Sequence, residues 1–247
     1  MIVKARPLLC ELHAHTTWSD GAYELSELVD LYGSQGFDVL VVTDHALCSD
    51  DPWLVEHPNG ARVDAGNHAA YLEAVEAEAE RARALYDLLL LPGLELTYND
   101  PDPDLAAHAV AVGLRTFVSL DRGLSAALKT ARSRGAALIA AHPHADEEDA
   151  VPGRTTRRFF REREELGELV DRFELFNRRE VFRWVANAGL PAVASGDFHR
   201  LEHLSTWKTL LPCAKEERAV VDYLRSPRPA YVARLERMIG SRPRVAA

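Results

Sequence analysis

The segment "CELHAHTTWSDG", residues 10–21, sets two histidines one residue apart directly behind an apolar run. Because side chains alternate along an extended chain, His13 and His15 face the same side if this run is a strand. Asp20 follows in the same segment. Taken alone, the segment has two interpretations: ordinary turn residues that happen to be adjacent, or ligands directed at one point.

The rest of the sequence favours ligands, because polar residues of the same types close several other apolar runs. They are His45 in "VVTDH", Glu95 in "PGLEL", His142 in "ALIAAH", and Asp197 with His199 in "PAVASGDFH". The last two repeat the two-residue spacing of the first pair. Imidazole nitrogen mixed with carboxylate oxygen suits zinc, manganese or iron, and it is not a ligand set for calcium alone.

Short apolar runs alternate with amphipathic stretches, which indicates an α/β fold with parallel strands joined by crossover helices. The predicted strands are "PLLCELH", "DVLVVT", "LLLLPGLEL", "HAVAVGL", "ALIAAH", "RFELFN", "PAVASGD" and "WKTLL". The predicted helices lie at 24–36, 67–86, 121–134, 156–169, 179–189 and 214–225. Carboxyl ends of parallel strands converge on one face of a barrel, where active sites are built. We therefore expect the polar strand-end residues to meet there.

Composition limits the class of protein. The 247 residues are 47% hydrophobic, which is enough for a single domain spanning 1–247. The first residues lack the apolar stretch of a secretory signal and no later segment has the length of a membrane span, so we expect a cytoplasmic protein without a membrane partner. Three separated cysteines indicate reduced thiols. Net charge is −9 and the basic residues are dispersed, so duplex nucleic acid is not an expected partner.

As an ordered set, these motifs resemble the PHP family, the polymerase and histidinol phosphatase domain. The matching motifs run from "ELHAHTTWSDG" through "VVTDH", "PGLELT", "AAHPH" and "FELFN" to "SGDFH", and so cover most of the chain. The resemblance implies a distorted TIM-like (β/α)7 barrel. It also implies a metal-dependent phosphoesterase that acts on a small phosphorylated metabolite or nucleotide and uses two or three divalent ions, zinc, manganese or iron.

The resemblance further implies which residues hold three neighbouring ions. The first ion is assigned to His13, His15, Glu95 and Asp197; the second to Glu95 as a bridge with His108 and His142; the third to Asp20, His45 and His199. His108 is the unusual member, because it begins the run "HAVAVGL" instead of ending a strand. Its strand must run against the others for His108 to reach the same face.

The expected mechanism is attack on phosphorus by a hydroxide that bridges two ions. Asp44 is either a carboxylate that orients a ligand or a strand-end cap. Arg178, Arg179 and Arg200 follow strand ends and are candidates for binding phosphate, since guanidinium groups match phosphate oxygens. His144 is a further substrate-binding candidate. Asp20 stands where several relatives have histidine, and this form resembles members that act on small nucleotides and related phosphoesters.

Several features stay open at the level of sequence. The long connections 46–67 and 143–155 are either lids and specificity elements or mobile surface loops. His57, His68 and His203 are expected to be solvated. One alternative function is a metal-dependent amidohydrolase, disfavoured because none of the lysines, Lys4, Lys129, Lys208 and Lys215, is placed to bridge metals at a strand end. The other alternative is a catalytically silent metal-binding PHP module. The oligomeric state is not predicted.

Overall fold

Each apolar run predicted as a strand contains one in the computed structural model, which describes residues 6–56, 60–144 and 156–235. The strands are β1 (Leu8–Glu11), β2 (Val39–Val42), β3 (His45–Leu47), β4 (Leu89–Tyr98), β5 (Ala107–Val112), β6 (Ala137–Ala141), β7 (Arg172–Asn177), β8 (Glu180–Val181), β9 (Ala192–Ser195), β10 (Trp207–Leu211) and β11 (Tyr231–Arg234). The short strands β3, β8 and β11 were not predicted, and β8 lies inside the stretch 179–189 that was predicted as a helix.

The predicted helical stretches also contain helices. These are α1 (Leu25–Ser34), α2 (Pro52–Glu56), α3 (His68–Tyr86), α4 (Leu124–Ser133), α5 (Arg158–Arg161), α6 (Arg163–Leu166), α7 (Arg183–Asn187) and α8 (Glu217–Leu224). Gly36 follows α1 at φ +77°, near the end of the predicted helical stretch 24–36, and glycine adopts this left-handed conformation without steric cost. Helix α2 was not predicted and lies inside the long connection 46–67. Within the described residues, no helix combines the length and apolarity needed to cross a membrane.

The strands form one mixed sheet in the order β11-β10-β1-β2-β4-β5-β6-β7-β8, with β3 beside β4 and β9 beside β7. The pairs β1–β2, β2–β4, β6–β7 and β7–β9 are parallel. Strand β5 is antiparallel to both of its neighbours, β4 and β6. This reversal brings the start of β5 to the edge where the parallel strands end.

The sheet curls, so that strands far apart in its order come into contact. Thr209 of β10 donates to the carbonyl of Ala194 in β9 at 2.7 Å and accepts from the amide of Ala194 at 2.9 Å. The coarse prediction of a barrel-like α/β fold is therefore confirmed. The exact (β/α)7 arrangement is not confirmed, because β5 and β10 run antiparallel to their neighbours.

Two apolar clusters lie on the two faces of this sheet. Leu40 and Val42 of β2 pack with residues of α1, α3 and α4, whereas Val39 and Val41 pack with side chains from β1, β5 and β9 on the concave face. Helix α8 belongs to the concave cluster. Arg172, at the start of β7, donates to the carbonyl of Leu224 in α8 at 3.0 Å. Helix α8 therefore covers the amino ends of the parallel strands and leaves their carboxyl ends open.

Candidate metal centre

The two His-containing pairs of the sequence lie side by side. The chain after β1 and the chain after β9 form a parallel bridge between Ala14 and Phe198. The amide of His15 donates to the carbonyl of Phe198 at 2.8 Å, and the amide of Phe198 donates to the carbonyl of His13 at 3.1 Å. Because alternate residues share a face, both residues of each pair point to the same side. The ring centroids of His15 and His199 are 4.2 Å apart.

Other elements bring the remaining residues to this point. His45 opens β3 and lies opposite Glu95 of β4, which is within that strand and not at its end as predicted. His108 lies near the start of the reversed strand β5, opposite Thr97. The sequence indicated that His108 could reach this face only from an antiparallel strand, and β5 is antiparallel. His142 directly follows β6.

The candidate residues form three adjoining groups. Within each group, the ligand atoms all lie within 4.8 Å of one another. The groups are His15, Asp20, His45 and His199; His13, His15 and Asp197; and Glu95, His108 and His142. This grouping follows the expected one with two differences. His15 also belongs to the group of Asp20, and Glu95 is grouped only with His108 and His142 and not also with His13 and His15.

Glu95 lies between the groups and is almost fully buried. Its Oε1 is 3.2 Å from His108 Nδ1 and 3.2 Å from His142 Nε2. Its Oε2 is 3.4 Å from the Nε2 atoms of both His13 and His15. One carboxylate therefore reaches imidazoles of all three groups, which is the arrangement expected of a bridging ligand.

Two buried atoms in this cluster lack a hydrogen-bond partner among the described residues: His13 Nε2 and His15 Nε2. Buried polar atoms are normally paired, so these two require an explanation. A cation bound between the imidazoles and the carboxylates of Glu95 and Asp197 provides one. The donor set of nitrogen and oxygen atoms fits zinc, manganese or iron.

The carboxylates of the cluster keep their negative charge despite their burial. Burial by itself raises the pKa of Glu95, but the neighbouring His13 and His45 outweigh it and hold the pKa well below its ordinary value. The pKa of Asp197 is lowered in the same way, against burial, by His13 and His199. Burial lowers the pKa of His15 well below its ordinary value, so this imidazole stays neutral and keeps a lone pair for a metal.

Backbone strain is concentrated at the same place. Of the described residues other than glycine, those with positive φ are Asp87, His142 (φ 30°), Arg178 (φ 51°) and Asp197 (φ 43°). All but Asp87 lie at the centre. This conformation is unfavourable for residues with a Cβ and persists where the surroundings impose it, often at functional sites.

Glu174 supports the centre and was missed by the sequence analysis. It lies in β7, and its Oε1 is 3.0 Å from His13 Nδ1, the nitrogen turned away from the cluster. Its Oε2 accepts from the amide of His142 at 2.7 Å and from Asn177 Nδ2 at 2.7 Å. A carboxylate behind an imidazole fixes the ring and its tautomer, as in many metal sites.

A buried ion pair lies beneath the centre and was also missed. Lys208 Nζ is 2.6 Å from Glu11 Oε2, and neither side chain is exposed to solvent. Glu11 Oε1 accepts from the amides of Gly196 at 2.8 Å and His13 at 3.3 Å. A Cβ at Gly196 would lie 2.3 Å from Lys208 Nζ and 2.4 Å from Glu11 Oε2, so a larger residue there would displace the ion pair. The pair thus ties the chain before His13 to the chain before Asp197.

Asp44 is a buried support for the loop that carries Asp20. Its Oδ1 accepts from the amide of Thr16 at 2.8 Å and from Ser19 Oγ at 2.6 Å. Ser19 Oγ lies 3.4 Å from His15 Nδ1. Through Ser19, Asp44 therefore reaches the candidate ligand His15. It does not reach His45, the residue next to it in the sequence, in this way.

The centre opens into a cavity of about 470 Å³. Arg178 and Arg200 line it, together with Leu47, Trp53 and Ala61 from the long connection 46–67. Arg178 Nε donates to the carbonyl of Asp197 at 3.0 Å, and its terminal nitrogen lies 2.8 Å from His199 Nδ1. Arg200 pairs with Glu202 at 3.4 Å.

Other predicted positions lie outside the cavity lining. Arg179 is exposed and does not line the cavity. His144 is buried beside Glu180, whose Oε1 is 2.8 Å from His144 Nε2, and does not line it either. Residues 145–155 of the second long connection lie outside the described residues.

The expectation of solvated histidines was wrong for two positions. His203 is 7% exposed, and its Nδ1 accepts from the amide of His199 at 3.1 Å. His68 is 8% exposed and packs against Tyr71 and Phe117. Phe117, which lies against His68, comes from a distant segment of the chain. His57 lies outside the described residues.

Known proteins share this architecture. No protein-family model matches the chain. A two-domain protein from Bacteroides vulgatus ATCC 8482, containing a predicted PHP-like metal-dependent phosphoesterase, superposes with a TM-score of 0.64 and 19% identity over 92% of this chain and 65% of its own. The chain has a PHP-like fold. The PHP resemblance of the sequence is therefore confirmed at the level of the fold.

Two further proteins are similar to this PHP-like chain. An amidohydrolase from Chromobacterium violaceum, solved with bound sulfate and no metal, superposes with a TM-score of 0.50 and 16% identity over 77% of this chain and 87% of its own. The DNA polymerase/3'-5' exonuclease PolX of Bacillus subtilis (strain 168) is 28% identical over 139 residues, which cover 54% of this chain. The chain spans 23% of the length of PolX.

Proposed function

We propose that the protein is a metal-dependent hydrolase of small phosphate esters that uses three divalent cations. The observation that carries this proposal is the set of three adjoining groups around Glu95, with two buried imidazole nitrogens that lack hydrogen-bond partners among the described residues. When bound, such cations supply Lewis acidity, which activates water and offsets charge on phosphoryl oxygens. The proposed location is the cytoplasm.

The chain's own residues would prepare this chemistry in three ways. Glu174 and Glu11 hold the segment of His13, while Asp44 holds the loop that carries Asp20. Arg200 and Arg178 place guanidinium groups at the cavity, where they can bind phosphate oxygens. The apolar side chains of Leu47, Trp53 and Ala61 line the same cavity and would exclude water from that part of it when an ester binds.

The amidohydrolase alternative is supported by the name of the Chromobacterium violaceum protein. Against it, Lys208 is fully buried in its pair with Glu11 and lies outside the cavity lining, so it is not placed to bridge metals. Assays of amides beside phosphoesters decide between the two. A silent metal-binding module would bind metal fully and hydrolyse neither.

The test is hydrolysis of p-nitrophenyl phosphate by the purified protein, by protein stripped with a chelator, and by stripped protein supplied with manganese or zinc. We expect loss of activity on stripping and recovery on adding metal. Asp197→Asn should lower activity and bound metal together, because Asp197 belongs to one of the three groups. Activity that persists after exhaustive chelation contradicts the proposal.

A further inference from the structure

Beside the three groups, Asp51 and Asn99 form a hydrogen-bonded line that ends at His108. Asn99 Nδ2 is 3.1 Å from Asp51 Oδ1 and 3.3 Å from Asp51 Oδ2. Asn99 Oδ1 is 2.9 Å from His108 Nε2. Asp51 is 1% exposed, so its carboxylate is shielded from water and depends on these partners.

The polarity of this line has only one consistent direction. An ionised carboxylate accepts hydrogen bonds and cannot donate, so the amide nitrogen of Asn99 must face Asp51. The amide oxygen of Asn99 then faces His108, and His108 Nε2 must carry the proton that it donates. The other ring nitrogen, Nδ1, faces Glu95 Oε1 at 3.2 Å, where a proton or a cation must lie between the nitrogen and the carboxylate.

That direction matches what a metal ligand requires. His142 Nε2 lies 3.2 Å from the same oxygen of Glu95, so His108 Nδ1 and His142 Nε2 approach one point. Only an unprotonated ring nitrogen can bind a cation, and the hydrogen bond of the opposite nitrogen decides which one that is. An Nδ1-protonated His108 would direct an N–H at this point instead.

The same carboxylate also holds the side of the cavity. Asp51 Oδ1 accepts from the amide of Trp53 at 2.9 Å, at the start of α2. Trp53 lines the cavity. Asp51 therefore connects the segment that shapes the substrate pocket with a histidine of the centre, through Asn99.

We propose that Asp51 and Asn99 are positioning residues that hold His108 in its Nε2-protonated form and so direct Nδ1 at the cation site of Glu95, His108 and His142. Each acts on the centre through another residue, Asp51 through Asn99 and Asn99 through His108, although Asn99 itself also lines the cavity. The inference rests on the proposed function in one respect, that His108 is a metal ligand. Its tautomer can be measured on the zinc-loaded protein, independently of any turnover.

The chain offers a polarity swap as a matched test. Asp51→Asn gives position 51 a donor, so the Asn99 amide no longer has a fixed direction and Nδ1-protonated His108 becomes populated. The double variant Asp51→Asn/Asn99→Asp restores an acceptor facing His108 and preserves the net charge. Asn99→Leu removes the line altogether. Circular dichroism checks that each variant folds.

The first measurement is long-range proton–nitrogen NMR of the histidine rings in zinc-loaded, 15N-labelled protein, with the His108 signals identified by their loss in His108→Gln. We expect the Nε2-protonated form in the wild type and in the swap variant, and a mixture in Asp51→Asn. An Nδ1-protonated wild type, or a swap variant no different from Asp51→Asn, overturns the proposal.

The second measurement is zinc affinity by competition with a chromogenic chelator. We expect Asn99→Leu to weaken one site on the order of 10- to 100-fold, as removal of a residue behind a metal ligand does, and the swap variant to bind almost as the wild type does. Unchanged affinity in Asn99→Leu overturns the proposal. If tautomer and affinity follow expectation but no phosphoester is hydrolysed, the proposed function fails and the positioning role stands.

Discussion

Replacing Lys208 by methionine tests the buried ion pair beneath the centre. Both Lys208 and Glu11 are fully buried, and their charged atoms are 2.6 Å apart. Removing one partner of such a pair leaves an uncompensated buried charge and costs about 3 to 5 kcal/mol. Glu11 keeps hydrogen bonds from Tyr32 Oη at 3.0 Å and from the amide of Gly196 at 2.8 Å. We therefore expect the lower end of that range, about 3 kcal/mol.

For a chain of this length, such a loss lowers Tm by roughly 6 to 12 °C. The double variant Glu11→Gln/Lys208→Met removes both charges while the glutamine oxygen can still accept from the amide of Gly196. We expect it to be about 2 kcal/mol more stable than Lys208→Met. The double variant separates two causes of instability in Lys208→Met. If the cause is a buried charge left unpaired, the double variant is the more stable of the two. If the cause is only the loss of contacts, the double variant is the less stable one.

The assay is urea unfolding of the metal-free protein followed by circular dichroism, with thermal unfolding as a second probe. A change in the urea midpoint at constant slope reports the change in stability. The reasoning is refuted if Lys208→Met unfolds within about 1 kcal/mol of the wild type, or if the double variant is less stable than the single one.

The remaining predictions concern the centre and one remote histidine. Glu174→Gln should weaken metal binding on the order of 10- to 100-fold, because the ring of His13 loses its carboxylate; unchanged affinity by chelator competition contradicts this. Arg200→Ala should raise KM for p-nitrophenyl phosphate without lowering metal content. Arg179→Ala, at an exposed position, should change neither KM nor metal content. Equal effects of the two variants contradict a phosphate-binding role for Arg200. Burial lowers the pKa of His68 below 6.5, so the unfolded chain takes up a proton first as the pH falls. His68→Leu should therefore lose less stability than the wild type below about pH 6.5, by up to about 1.4 kcal/mol per pH unit, and identical pH profiles in urea unfolding contradict this.

Much of the centre was predictable because its residues follow local patterns. The spacing of His13 with His15 and of Asp197 with His199 needs only the two-residue period of an extended chain. Their convergence follows from parallel strands ending on one face. The structure adds the register, through the bridge between Ala14 and Phe198, which no spacing within either segment specifies.

The supporting residues were missed because their roles depend on distant partners. Glu174 meets His13 across 161 positions of sequence, and Lys208 meets Glu11 from the opposite end of the chain. Each stands as a charged residue inside an apolar run predicted to be a strand, and that was the available signal. Strands β3 and β11 were missed for a related reason, since short strands are defined by their pairing partners more than by their own residues.

The central claim is that cations bind among the strand-end imidazoles and carboxylates, and anomalous diffraction tests it most directly. Crystals of protein loaded with manganese or zinc, measured at the absorption edge of the metal and paired with elemental analysis of the same preparation, give the number and positions of the ions. We expect anomalous peaks between Glu95 and the imidazoles of His13, His15, His45, His108 and His142. Peaks confined to other surfaces, or metal-free crystals after loading, contradict the account.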